Sequence, residues 1–322
     1  MTAGIFLLLF TQISLREISF IIKTIEPLWA ISGFGVYLLS LFFQSLRYRW
    51  LIRTKIPSFS KLFSISVLYN LSLMIFPSKI GELAYPYLLN KISETTITEG
   101  LASLIALRGY DLLIILVSFI FSSLWIQTLF EFNLLLTFLL ALLFITLILI
   151  IFFYMTTLLV GCSKVLSKIS KWVGRTDLKP IQWAQRKLHE IAEDFYAIRA
   201  RRTYLQVTLT SLLSWVSVFW MFYAFMRGFG IEISFLKVVF GSTVALLISI
   251  LPISAFGNWG ILEAGWTIGF LMVGLPKDKA IATGLWIHIA VFMVCAILGS
   301  FFLITLKLSP FSLEKKTEDK NR

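Results

Sequence analysis

Three short clusters of ionisable residues interrupt long apolar runs. Lys79 and Glu82 flank Gly81 in LMIFPSKIGELAYPYLL (73–89), between Pro77 and Pro86. Arg108 and Asp111 lie in LIALRGYDLLIIL (104–116), at a spacing that puts both on one helix face. Asn258 and Glu263 lie in LPISAFGNWGILEAGW (251–266), with Pro252, Gly257 and Gly260. A charged side chain at membrane depth costs about 2.5–3.5 kcal/mol even on the lenient scale, so it faces a cavity or a partner. Irregular backbone there is tolerated only against protein or a water-filled space. Cations, carboxylates and glycines at such breaks point to binding a polar group inside the bilayer.

The elements that must hold these clusters follow from composition. The chain has 322 residues, 58% hydrophobic and 14% charged, with a mean hydropathy of +0.87. Soluble domains carry roughly 25% charged residues. Several runs reach the ~20 residues a membrane helix needs. The expected fold is an all-α polytopic membrane protein with about six full spans. They fall near 3–14, 27–46, 100–126, 132–158, 204–226 and 280–306. Two further apolar stretches, 60–90 and 236–274, are broken by Pro and Gly. The net charge of +12 fits the positive-inside rule and anionic lipid better than nucleic acid. The two cysteines, Cys162 and Cys295, form no disulfide framework or metal-ligand pattern.

Topology follows by counting. The loop 47–61 carries Arg47, Arg49, Arg53, Lys55 and Lys61 and no acid, so it is expected to be cytoplasmic. The segment 164–202 has ten basic residues against four acidic ones and is expected on the same side. The spans 100–126 and 132–158 lie between and preserve the side, so 60–90 must cross an even number of times. Its arms are too short for two crossings, which leaves a re-entrant hairpin turning at PSKIGE. The same count makes 236–274 a second hairpin, entering from outside. Units 27–126 and 204–306 then form an inverted repeat, an arrangement that places a transporter-like binding site near the midplane. One integral domain, 1–310, is expected, with a polar tail at 311–322 and both termini cytoplasmic. Within the basic loop 162–203, Ala184, Leu188, Ile191, Phe195 and Ile198 recur at helical spacing. Two readings stand for that helix: it lies on the membrane surface, or it is a solvated linker.

Each polar cluster also has a purely architectural reading. Arg108 and Asp111 can pair with one another, Glu82 can lock onto Arg108, and Lys79 can snorkel to the interface. Glu263 shares this ambiguity. Arg227, Glu232 and Lys237 read as loop charges, and His288 reads as a core histidine. The enzyme readings have less support. Tyr110-Asp111 resembles the first aspartate motif of intramembrane aspartyl proteases, but no Gly-x-Gly-Asp partner is present. His-Glu-x-x-His and Gly-x-Ser-x-Gly are missing too, and two histidines make metal chemistry hard to build. The expectation is no catalytic residue, no metal and no cofactor.

Four stretches in order, SLRYRWLI, FPSKIGELAYPYLL, LRGYDLL and LPISAFGNWGILEAG, resemble the membrane region of the lysylphosphatidylglycerol synthase/flippase family. Pro77, Lys79, Gly81 and Glu82 fit its first motif, with Lys79 where arginine is commoner. Arg108, Asp111 and Leu112 fit the second. Pro252, Gly257, Gly260 and Glu263 fit the third with looser glycine spacing. The resemblance implies a stand-alone flippase-like protein of the plasma membrane that moves or holds an anionic phospholipid or polyprenyl-linked lipid. Lys79 and Arg108 would then meet phosphate, and Glu82 and Glu263 would pair with them or carry a coupling proton. Gly81, Asp111, Gly257, Asn258 and Gly260 complete the expected substrate site. The aminoacyl-transferase half is not in the sequence, so lysyl transfer by this chain is not expected. Two other classes stay open. One is a scaffold for a separately encoded glycosyltransferase or lipid-modifying enzyme, and the other is a lipid head-group transferase lacking its soluble half.

Overall fold

Pro27 opens helix α1 (Pro27–Leu51), where its missing N–H is no loss. The computed structural model describes residues 25–54, 56–76, 78–126, 134–172, 179–250 and 259–307. The expected span 3–14, Pro77, Pro252, Gly257, Asn258 and the tail 311–322 lie outside them. Every regular element described is helical: after α1 come α2 (Phe59–Ile75), α3 (Ser78–Glu82), α4 (Ala84–Ser93), α5 (Ile97–Trp125) and α6 (Leu134–Trp172). Then follow α7 (Lys179–Ala200), α8 (Tyr204–Gly228), α9 (Phe235–Ser249), α10 (Ile261–Met272) and α11 (Lys277–Thr305). Among the described residues α1, α5, α8 and α11 are long and apolar enough to cross a membrane. The expected span 132–158 falls within α6, whose 39 residues measure about 58 Å, longer than a bilayer core.

α1 and α8 pack along their whole length and run antiparallel. At one end the Glu26 N–H donates to the Gly228 carbonyl over 2.9 Å. Midway the Ser214 hydroxyl donates to the Ser40 carbonyl over 3.2 Å. At the other end the Thr203 hydroxyl reaches the Trp50 carbonyl over 3.3 Å, and Arg201 donates to the carbonyl of Ile52. These are the first helices of the two units. Around this axis the packing exchanges partners, with α5 against α9 and α11 against α2.

The two ends of the first broken segment meet at one end of the bundle. The backbone N–H of Thr54, before α2, donates to Glu99 in the first turn of α5 over 3.0 Å, and the Thr96 hydroxyl caps that same turn. α9 and α10 run antiparallel at van der Waals range because small residues face each other. A Cβ added to Gly265 would lie 3.0 Å from the Ala245 Cα, and one on Gly269 would lie 2.2 Å from the Gly241 carbonyl. GSTVA on α9 and GWTIG on α10 thus form facing small-x-x-x-small surfaces. In the first unit Gly81 packs equally closely on the backbone of Ser72 and Leu73.

Two expectations need correction. The loop taken as 47–61 is helical as far as Leu51, and Arg47 is buried inside the bundle. The positive-inside count treated five cations as one loop, although the first of them still belongs to the span. The basic helix α7 packs on α5 and α6 and so is not a solvated linker. Phe195 and Ile198 join a core cluster with Tyr48, Leu51, Ala102 and Val207. Asp194 on the same helix meets Arg53 at 3.0 Å. Burial raises the Asp194 carboxyl above its ordinary value, with a Thr98 hydrogen bond and Arg53 pulling against it.

Candidate functional site

α1 presents Tyr37, Ser40, Leu41, Gln44 and Arg47 along one face, at steps of three and four residues. That face lines a cavity of about 540 Å³ shared by both units. Tyr69, Asn70 and Met74 come from α2, Glu82 from α3, and Arg108, Asp111 and Ile115 from α5. Ser214, Trp215 and Phe222 come from α8, Ser249 from α9, Leu262 from α10, and His288 and Val291 from α11.

One wall is an ion network. Arg47 Nη1 donates to Asp111 Oδ1 over 2.5 Å, and the Trp215 indole N–H donates to the same oxygen over 2.9 Å. Arg108 Nη1 lies 3.8 Å from Asp111 Oδ2, and Arg108 Nη2 lies 3.3 Å from Glu82 Oε1. The same Arg108 Nη2 donates to the Tyr69 hydroxyl over 2.8 Å. The Nε–H groups of both arginines are buried without a hydrogen-bond acceptor among the described residues. Such an unmet donor costs about 1–3 kcal/mol, so the network has unused capacity for an acceptor.

A second set of contacts centres on Glu263, behind the wall residue His288. Its Oε2 accepts the Gly260 N–H over 2.7 Å at the start of α10, and its Oε1 lies 2.5 Å from His288 Nδ1. Gly260 has φ +85, which favours glycine, so the backbone there depends on its missing side chain. The Trp259 ring stacks on His288 at 4.0 Å between centroids, and its N–H donates to the Met74 carbonyl over 3.3 Å. Met74 is in the last turn of α2, so the two broken segments touch.

The residues singled out from sequence fall as follows. Glu82, Arg108 and Asp111 come together on the cavity wall, and Glu263 is buried beside His288, which also lines the cavity. Gly81 permits the close α2–α3 approach, and Gly260 shapes the turn before α10. Lys79 belongs to α3, and nothing further is described of its side chain. The expected partners of Glu263, Lys79 or Arg108, give way to His288, because α10 and α11 face each other there. Arg47, Trp215 and His288 were missed. The polar stripe Ser40–Gln44–Arg47 was the available signal for Arg47, whereas His288 has no local one. The Arg227 guanidinium lies 5.9 Å from the Trp29 ring centroid, away from the cavity. Among the described residues no group of three or more potential metal ligands gathers.

The arrangement can bind a charged or zwitterionic group and pass a proton. It offers two guanidiniums, two carboxylates facing them, and a histidine held by a third. The family described as the lysylphosphatidylglycerol synthase TM region matches residues 1–299. No curated protein and no solved structure matches the chain.

Proposed function

The chain belongs to the lysylphosphatidylglycerol synthase TM-region family, and on that premise we propose that it translocates a lipid head group across the bilayer. The observation that carries this reading is the cavity of about 540 Å³ walled by two antiparallel units. Its size lies within the roughly 300–1,000 Å³ range of small-molecule sites, enough for a head group while the tails stay in lipid. In this reading α2–α4 and α9–α10 are re-entrant hairpins that enter from opposite faces. Arg108 and Arg47 offer guanidinium N–H groups to a phosphate, and Glu82 and Asp111 hold those cations when the site is empty. The cargo is an anionic phospholipid or a polyprenyl-phosphate lipid, and the protein does not make or break bonds in it. It resides in the plasma membrane with both termini and α7 on the cytoplasmic side.

The test is reconstitution in liposomes with a head-group-labelled anionic lipid in one leaflet. Faster exchange with the protein than with an Arg108→Gln variant at matched incorporation supports translocation. Equal, background rates for both favour a scaffold for a separate glycosyltransferase or lipid-modifying enzyme.

A further inference from the structure

We infer that Glu263 and His288 form a proton-binding dyad that opens onto the cavity and latches the two hairpins together. Three contacts carry this. Both side chains are 2% exposed, with Glu263 Oε1 2.5 Å from His288 Nδ1. The other oxygen of Glu263 is occupied by the Gly260 N–H, so the carboxylate is held from two sides and cannot turn away. His288 is itself part of the cavity wall.

A carboxylate on Nδ1 fixes the tautomer with its proton on that nitrogen and leaves the Nε2 lone pair available. The contact of His288 with Glu263 is made through Nδ1. A proton arriving through the cavity adds to Nε2, the ring becomes an imidazolium, and its charge is matched by Glu263. Release reverses the step through the same nitrogen. The other titratable or charged side chains on the wall are Tyr37, Arg47, Tyr69, Glu82, Arg108 and Asp111. α8 and α9 contribute none to it. Glu263 is the carboxylate in contact with the ring.

The latch follows from the stacked ring. Trp259 lies over His288 at 12° and donates to the Met74 carbonyl at the end of α2. An imidazolium attracts an indole face more strongly than a neutral ring does. Protonation therefore tightens Trp259 over α11 and holds the second hairpin against the first, and proton loss loosens that hold. Coupling of this proton to lipid movement rests on the translocator reading, whereas the dyad itself does not.

The chain has two histidines, which makes the dyad directly observable. The other, His189, stands on α7 beside Glu193. A His189→Asn protein in nanodiscs, labelled with ¹⁵N-histidine, reports His288 alone by solid-state NMR. The expected result is two forms across a pH series, a neutral ring with its proton on Nδ1 and, on acidification, an imidazolium. A ring that keeps one form throughout, neutral or charged, overturns the dyad. In liposomes an inward or outward pH gradient is expected to change the wild-type lipid rate several-fold and to leave a folded His288→Asn variant unresponsive. A gradient response that survives in His288→Asn overturns the coupling. Absence of lipid movement in every sample overturns translocation instead, and the NMR result still decides the dyad.

Discussion

Arg47 and Asp111 are 64 residues apart in sequence, yet Arg47 Nη1 donates to Asp111 Oδ1 over 2.5 Å with both side chains almost wholly buried. This pair joins the end of α1 to the middle of α5. It also redefines Asp111, whose shortest ionic contact is Arg47 and not its helical neighbour Arg108 at 3.8 Å. Removing Arg47 takes away the shortest partner of a buried carboxylate and leaves it Arg108 at 3.8 Å and the Trp215 N–H, a loss of about 1–3 kcal/mol. Arg47→Leu is therefore expected to lower the melting temperature of the detergent-solubilised protein sharply. Arg47→Leu with Asp111→Leu should recover most of the loss, since apolar replacements for both partners are often neutral. Equal melting temperatures for Arg47→Leu and wild type would show that the pair does not hold the helices together.

The α9–α10 contact gives a sharper steric test. Gly269→Ala puts a methyl group against the Gly241 carbonyl, where only backbone can yield. Overpacking of this kind costs about 1–3 kcal/mol. Gly35→Ala on α1 meets nothing within 4 Å and gains about 0.5–1 kcal/mol of helix propensity. Thermal denaturation should thus move the two variants in opposite directions. A stabilised Gly269→Ala protein is incompatible with the observed α9–α10 packing.

Glu82→Gln and Glu263→Gln test the carboxylates at the two breaks. An amide keeps the shape and can still accept from the Gly260 N–H or from Arg108, so both proteins should insert and fold. Each should slow head-group exchange roughly tenfold, equivalent to ~1.4 kcal/mol: in Glu82→Gln, Arg108 loses the carboxylate it exchanges for phosphate, and in Glu263→Gln, His288 loses the carboxylate that matches its charge. Wild-type rates in both variants would remove these carboxylates from the path.

Topology is open to labelling. Cys295 is buried beside the Tyr37 hydroxyl at 2.9 Å, so Cys162→Ser alone gives a quiet background. Cysteines at Glu94 and His189 should resist an impermeant outside reagent, and one at Lys279, before α11 enters the bundle, should react. Labelling at position 94 from outside would eliminate the first re-entrant hairpin.

The breaks were legible in the sequence because Pro and Gly punctuate apolar runs, and because Arg108 and Asp111 share a face at i,i+3. The order of helices followed from run lengths. Arg47 was hidden by its neighbours Arg49 and Arg53, since a charge count has no sense of where a helix ends. The Glu263–His288 contact was also unreadable: the residues are 25 apart on different helices, and their meeting depends on how α10 folds back onto α11. The docked face of α7 was correctly apolar, but periodicity cannot distinguish lipid from protein as the surface it covers.

The ion network on the cavity wall also has an electrical consequence. Arg47 and Arg108 carry two positive charges, and Asp111 and Glu82 carry two negative ones. A membrane voltage does about 2.3 kcal/mol of work per 100 mV on each net charge that crosses the field. Displacing these four groups together moves no net charge, so voltage neither drives nor opposes their rearrangement. Any current that accompanies lipid movement therefore measures what travels with it, namely the valence of the head group and the proton on His288.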